Sequence, residues 1–172
     1  MKRIFLATLL LSASTGFTAC ASLPAMERAT SDFSGAWSVK MCDESDPKRQ
    51  CGAFDLYLVQ DENGRICGEH FVATPGLARL DESDPATVLG TTGTKAGVVI
   101  IKSTRNDARY MARLSMVGDR LHWELVGMVS RGLNDEPPII PGEKTLERSE
   151  LNEKLQYQKD IASSCEWPDW VP

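Results

Sequence analysis

A chain of 172 residues with 42% apolar and 25% charged side chains has the composition of one ordinary globular domain, with or without a tail, and not that of a disordered segment. Nineteen Lys and Arg against 24 Asp and Glu leave a formal charge of −5, which argues against a general nucleic-acid binder, because phosphate contacts need clustered cations. Only two histidines, His70 and His122, are present, so a multi-histidine metal or catalytic centre is excluded, and no cofactor is expected.

The chain opens with a basic start, Met1-Lys2-Arg3, followed by the uncharged apolar run Ile4 to Leu11 and then small and polar residues up to Ala19. That run is too short to cross a bilayer, which takes about 20 apolar residues, and the pattern is that of a secretory signal peptide. Its end, Phe17-Thr18-Ala19-Cys20, resembles the bacterial lipoprotein signal, in which a lipidated cysteine becomes the new N-terminus, although that signal prefers Leu where Phe17 stands. The resemblance implies a signal peptide over 1–19, lipidation at Cys20 and, with Ala21 rather than Asp after the cysteine, an outer-membrane anchor facing the periplasm. Ordinary cleavage after Ala21, at an A-x-A site formed by Ala19-Cys20-Ala21, is the alternative. Loss of Lys2 and Arg3 takes the charge from −5 to −7. Residues 20–32 read as a linker.

Five cysteines remain to be placed: 20, 42, 51, 67 and 165. Either cleavage leaves four for disulfides in an oxidising compartment, and four allow three pairings. The favoured set joins Cys42 to Cys51, closing the polar loop Asp43 to Gln50, and Cys67 to Cys165, tying the tail to the body. A zinc site is rejected, because no C-x-x-C occurs and the spacings fit no zinc template.

From Phe33 to about Ser130 the chain reads as an antiparallel meander. Phe33 to Met41 alternates, with Phe33, Gly35, Trp37, Val39 and Met41 on one face. Ala53 to Gln60 is the next strand, Asp61-Glu62-Asn63-Gly64 turns the chain, and Ile66 to Ala73 returns. The turn decides where His70 points. A two-residue loop sets it opposite Tyr57, whereas a three-residue loop sets it opposite Leu56, facing the core. Thr87 to Thr92 with Gly97 to Ser103, and Tyr110 to Met116 with Leu121 to Val129, form two further hairpins. In the last, pairing Val117 with Arg120 sets Leu114 opposite Trp123, Ala112 opposite Leu125 and Tyr110 opposite Gly127. The other face then holds Arg113 with Glu124 and Ser115 with His122. About seven or eight short strands predict a mainly β protein, a small antiparallel meander barrel over 33–130. Phe33-Ser34-Gly35-Ala36-Trp37 resembles the first strand of lipocalin-like barrels, where a Gly-x-Trp closes the base.

Residues 131–172 have another texture. Arg131 to Gly142 is Pro-rich and irregular. Thr145 to Asp160 predicts a helix, with a Thr cap, Leu151 and Leu155 at i,i+4 and the Glu150–Lys154 pair. Trp167 and Trp170 in the tail are expected to pack beside the second disulfide rather than to form an exposed patch.

Little in the chain suggests catalysis. His70 and His122 lie within predicted strands and outside any nucleophile motif, and no phosphate loop or dinucleotide fingerprint occurs. Acid–base carboxylates could be drawn from Asp55, Glu69 and Asp81-Glu82, but their spacing singles none out, and an enzyme is not expected. The remaining feature is basic: Lys102, Arg105, Arg109, Arg113 and Arg120 fall within nineteen residues. Arg113 beside Glu124, and Arg105 or Arg109 beside Asp107, read as a solvated, salt-bridged face. A functional reading is also open. Ser103 and Ala108-Arg109-Tyr110 resemble the Ser-Gly-x-x-Tyr loop with which small β-barrel envelope inhibitors of c-type lysozyme plug the enzyme cleft. Here the glycine is missing and the spacing is longer.

That resemblance implies a non-enzymatic binding protein of the cell envelope, an inhibitor or immunity protein against a lysozyme-like hydrolase, with Ser103, Arg105, Arg109 and Tyr110 as contacts. The alternative is a lipocalin-like carrier of a small apolar ligand, which requires an open interior. A maturation factor or scaffold of the envelope is a third reading on which the residues are silent.

Overall fold

The computed structural model describes residues 31–83, 86–134, 136–149 and 160–165. The signal segment, Cys20, Trp167 and Trp170 lie outside the described residues.

Nine strands follow one another: β1 Gly35–Met41, β2 Gly52–Gln60, β3 Arg65–Ala73, β4 Leu80–Glu82, β5 Val88–Thr92, β6 Ala96–Lys102, β7 Arg109–Val117, β8 Arg120–Ser130 and β9 Glu143–Arg148. Their order is β2-β1-β9-β8-β7-β6-β5-β3-β4, and a β2–β3 pairing closes the ring into an eight-stranded antiparallel barrel. The short β4 shares an edge of β3 with β5: Arg65 to Gly68 pair with β5, and Phe71 to Ala73 with β4.

Alternation along the strands sends one set of side chains inward. Trp37, Phe54, Leu56, Leu58, Ile66, Val72, Val99, Ile101, Leu114, Leu121 and Trp123 are buried in a single core. Phe54 and Trp123 meet edge to face, with ring centroids 5.1 Å apart, in the arrangement favoured by their quadrupoles. The lining is bulky, and a small barrel lined in this way is filled by its own side chains.

The turns account for the registers. In the β2–β3 hairpin, Gly64 takes φ +78°, its N–H bonds to Asp61 O at 3.0 Å, and Gln60 faces Ile66. The link is a three-residue loop with glycine in the left-handed position, which sets Leu56 opposite His70 and turns that imidazole inward. In the β7–β8 hairpin, Leu114–Trp123, Ala112–Leu125, Arg113–Glu124 and Ser115–His122 pair as expected. The expected Tyr110–Gly127 pair is corrected. The register slips beyond Ala112, Met111 faces Gly127 and Tyr110 faces Met128, because Val126 bulges out as an extra residue.

The helix expected over Thr145 to Asp160 is corrected where it begins. Residues 143–148 form β9, which pairs Leu121–Leu146 and His122–Thr145 on one side and Trp37–Arg148 on the other. The barrel therefore closes with a strand from the segment read as its tail. Leu146 is fully buried between β1 and β8, and filling that gap outweighs a thin helical stripe, since tertiary burial overrides local propensity. Residues 150–159 lie outside the described residues; 160–164 form a short helix, with Ile161 buried. Both favoured disulfides are present, Cys42–Cys51 and Cys67–Cys165.

Candidate functional site

The barrel has two unlike ends. At one lie the tight turns 61–64, 93–95 and 118–119, together with Phe33, whose N–H bonds to Gln60 Oε1 at 3.1 Å. At the other lie the longer connections: the disulfide loop 42–51, the described residues of 74–83 and 86–87, the loop 103–108 and the described residues of 131–134 and 136–142. Every candidate contact residue belongs to this loop end.

A buried polar clasp holds that end together. His70 comes from β3, Asp81 from β4, and Ser103 and Thr104 follow β6 directly. Asp81 is 2% exposed, yet its carboxylate is well supplied with donors. Ser103 Oγ donates to Oδ2 at 2.6 Å, and the Thr104 N–H and hydroxyl both donate to Oδ1 at 2.9 Å. His70 Nε2 stands 3.3 Å from Oδ1, at ion-pair distance but off the line of a well-formed hydrogen bond. His70 Nδ1 lies 2.7 Å from Thr87 Oγ1; His70 O accepts the Ser83 N–H at 3.1 Å, and His70 N–H donates to Ser83 Oγ at 2.8 Å. Burial acts to raise the Asp81 pKa, but the nearby His70 imidazole, the Ser103 hydrogen bond and the Thr104 N–H together prevail and lower it to about 2.

Serine, histidine and aspartate are together here in the wrong order for nucleophilic catalysis. A triad needs the imidazole between hydroxyl and carboxylate, so that it can take the hydroxyl proton. In the clasp the carboxylate stands in the middle, and Ser103 donates to it directly. The arrangement ties β3, β4 and the β6–β7 loop to one another.

The four residues expected to contact a partner have separate fates. Ser103 is 5% exposed and bound to Asp81. Arg105 is held on two sides, with Nη2 on the Glu136 carboxylate and Nη1 donating to Leu80 O at 3.1 Å. Tyr110 is 2% exposed and faces the interior beside Ile101. Arg109 is exposed, opposite Lys102 and Ser130, and makes no ion pair among the described residues. The expected pairing of Asp107 with Arg105 or Arg109 is corrected: Asp107 takes Lys102 at 2.8 Å, and Arg105 reaches Glu136 instead. Arg113 pairs with Glu124 at 3.1 Å as expected.

The loop itself is tightly organised. Ser103 N–H bonds to Ala108 O at 2.9 Å, Asp107 N–H to Ser103 O at 3.0 Å, and Asn106 Oδ1 accepts Ala108 N–H at 3.0 Å. Leu133 N–H then bonds to Asn106 O, fastening the chain after β8 over the loop. Sequence reasoning missed Thr87 and Glu136 as partners and left Asp81 as one carboxylate among several. No local signal marks them, because their partners lie 17 to 31 residues away.

Asp55 and Glu69 both lie close to Tyr57, whose phenol is pushed above its usual value by burial and then by these two carboxylates. Asp55 lies on the outer face of β2, bonded to Ser38 Oγ, with burial raising its carboxyl above the usual value. Glu69 faces Tyr57 across the β2–β3 ladder. Among the described residues, no group of three or more His, Cys, Asp or Glu is placed to hold a metal ion.

No protein family, no curated protein and no solved structure matches this chain.

Proposed function

We propose that the chain is an exported, non-catalytic binding protein of the cell envelope, anchored through lipidated Cys20, whose partner is a cell-wall hydrolase of the lysozyme type. The observation that carries this reading is the filled barrel: Trp37, Phe54, Leu56, Leu114 and Trp123 are all fully buried in one core, which favours an outer-surface partner over a carried apolar ligand. The two disulfides agree with an oxidising compartment.

Within the loop end, Arg109 is the residue of the expected contact set that remains exposed for a partner. Ser103 serves the clasp instead, and Arg105 is held by Glu136 and Leu80 O. A mature charge of −7 steers the protein towards a cationic hydrolase, and Arg109 then supplies a guanidinium for an acidic cleft. The test is inhibition of a panel of c-type lysozymes. The reading expects inhibition at micromolar concentration or below, weakened at least about tenfold by Arg109→Glu, equivalent to about 1.4 kcal/mol. Failure to inhibit any lysozyme of the panel at micromolar concentration overturns the choice of partner.

A further inference from the structure

The loop between β6 and β7 spends its polar groups on the chain that follows β8. Bulges at Val126 and Val129 bend the end of that strand, and residues 131–134 then cross the loop. Asn106, 5% exposed, grips the crossing chain twice. Its carbonyl accepts the Leu133 N–H at 2.6 Å, and its Nδ2 donates to Glu136 O at 3.4 Å. Arg105 adds the ion pair with the Glu136 carboxylate, and Asn134 Oδ1 accepts the Glu136 N–H at 3.2 Å. Gly132 lies flush against this support, since a Cβ there would stand 2.2 Å from Asn106 O and 3.0 Å from Ala108 N.

The side chain that this clamp leaves outside is apolar. Leu133 is 84% exposed, whereas no other large apolar side chain among the described residues exceeds 53%. An exposed leucine on a mobile loop is ordinary, but this one stands on a main chain held on both sides of it. A contact fixed in advance has little freedom left to lose when a partner covers it. Its surroundings are cationic. Arg131 lies two residues before it, and Arg109 faces Ser130 in the β7–β8 ladder, the residue before Arg131. Both arginines are exposed, and neither makes an ion pair among the described residues. In a chain whose mature charge is −7, this corner presents an aliphatic tip beside two uncompensated guanidinium groups.

We infer that Leu133, flanked by Arg109 and Arg131, is the apolar anchor that enters the hydrolase cleft, and that the β6–β7 loop is the support that holds it out. The inference rests on the proposed function and names the part of the loop end that makes the contact. The chemistry of the partner selects this combination. A hydrolase that cleaves glycosidic bonds with two carboxyl groups keeps one of them protonated in an apolar pocket and the other ionised. An aliphatic side chain fits the pocket, and a guanidinium fits the ionised carboxylate. Ser103 and Tyr110, buried in the clasp and the core, then act on the partner only through the loop they stabilise.

Inhibition by the full mature protein, measured against the panel of c-type lysozymes, tests this. Leu133→Asp should weaken inhibition at least about tenfold. Leu133→Met, which keeps an apolar side chain of similar volume, should stay within about threefold of the wild type. Neither should change the melting temperature, because position 133 is exposed. Val117→Asp, more than half exposed at the turn end, should inhibit as the wild type does. A double-mutant cycle tests the support. Asn106→Ala, assayed well below its melting temperature, should weaken inhibition, and should have no further effect in the Leu133→Asp background. Additive losses in the cycle overturn the support role of the loop. A smaller loss in Leu133→Asp overturns the inference while leaving the proposed function standing. A panel in which no lysozyme is inhibited overturns both.

Discussion

Asp81 and Ser103 are 22 residues apart in the chain, and a 2.6 Å hydrogen bond joins them inside the loop end of the barrel. Through that bond a three-residue strand, β4, becomes attached to the connection between β6 and β7. The carboxylate is buried, so its worth lies in the loop end it organises. Removing any donor leaves a buried acceptor short of a partner, which costs more than the bond itself contributed.

Ser103→Ala and Asp81→Ala should therefore both destabilise the fold. About 1–3 kcal/mol is expected for Ser103→Ala and about 3–5 kcal/mol for Asp81→Ala, which strands His70 as well. Urea unfolding followed by tryptophan fluorescence measures both. Losses below 0.5 kcal/mol, the range of ordinary surface substitutions, would mean that the clasp is not structural. Arg109→Ala, by contrast, should leave the midpoint unchanged.

The clasp also sets an acid response. The Asp81 pKa is lowered from 3.8 to about 2, so the unfolded chain takes up the proton more readily than the folded one. The stabilisation from this group is complete above pH 3.8 and is lost as the pH falls to about 2. Unfolding free energy measured across that window should decline in the wild type and decline less in Asp81→Asn. Equal slopes for the two proteins would remove Asp81 from the account.

The two disulfides should differ in their effect. Cys67–Cys165 spans 98 positions and Cys42–Cys51 spans 9. Closing the longer loop removes more freedom from the unfolded chain, about 5 kcal/mol against about 3 kcal/mol in the chain-entropy model. Replacing Cys67 and Cys165 by Ala should accordingly lower the urea midpoint further than replacing Cys42 and Cys51. The reverse order would show that the tail is not tied to the barrel by this bond.

At the turn end, the guanidinium of Arg148 stacks over Trp37, 4.3 Å from the ring centroid, and donates to Ser34 O at 3.0 Å. This contact spans the β1–β9 seam. Arg148→Ala should cost about 1–2 kcal/mol, and Arg148→Lys should recover only part of that, because an ammonium cannot both stack and donate in one plane. Thermal unfolding of the two variants gives the comparison.

Much of the barrel was legible in the chain because a half-buried strand announces itself by alternation. Seven strands, their order and most of the β7–β8 register follow from that period alone, and Gly64 explains why His70 turns inward. Three features escaped for physical reasons. β4 has three residues, too few for a period to appear. Thr145 and Glu147 suit a helix start in the sequence, so β9 reads as a first helical turn, whereas its real determinant is the gap between β1 and β8 that Leu146 fills. The bulges at Val126 and Val129 leave no mark in composition. The loop between β6 and β7 lies between two strands as expected, but most of its donors are engaged within the protein. Ser103, Arg105 and Tyr110 look like free donors in a sequence, and only folding brings Asp81, Glu136 and the barrel core against them.

The central claim is that this barrel acts by its outer surface on another protein and not by carrying a molecule inside. Native mass spectrometry of the protein isolated from its own envelope tests this most directly. The account predicts a complex whose mass exceeds that of the chain, with its lipid, by at least one other polypeptide, and which releases no small ligand on unfolding. A single chain carrying one stoichiometric apolar molecule, released when the barrel unfolds, would contradict it.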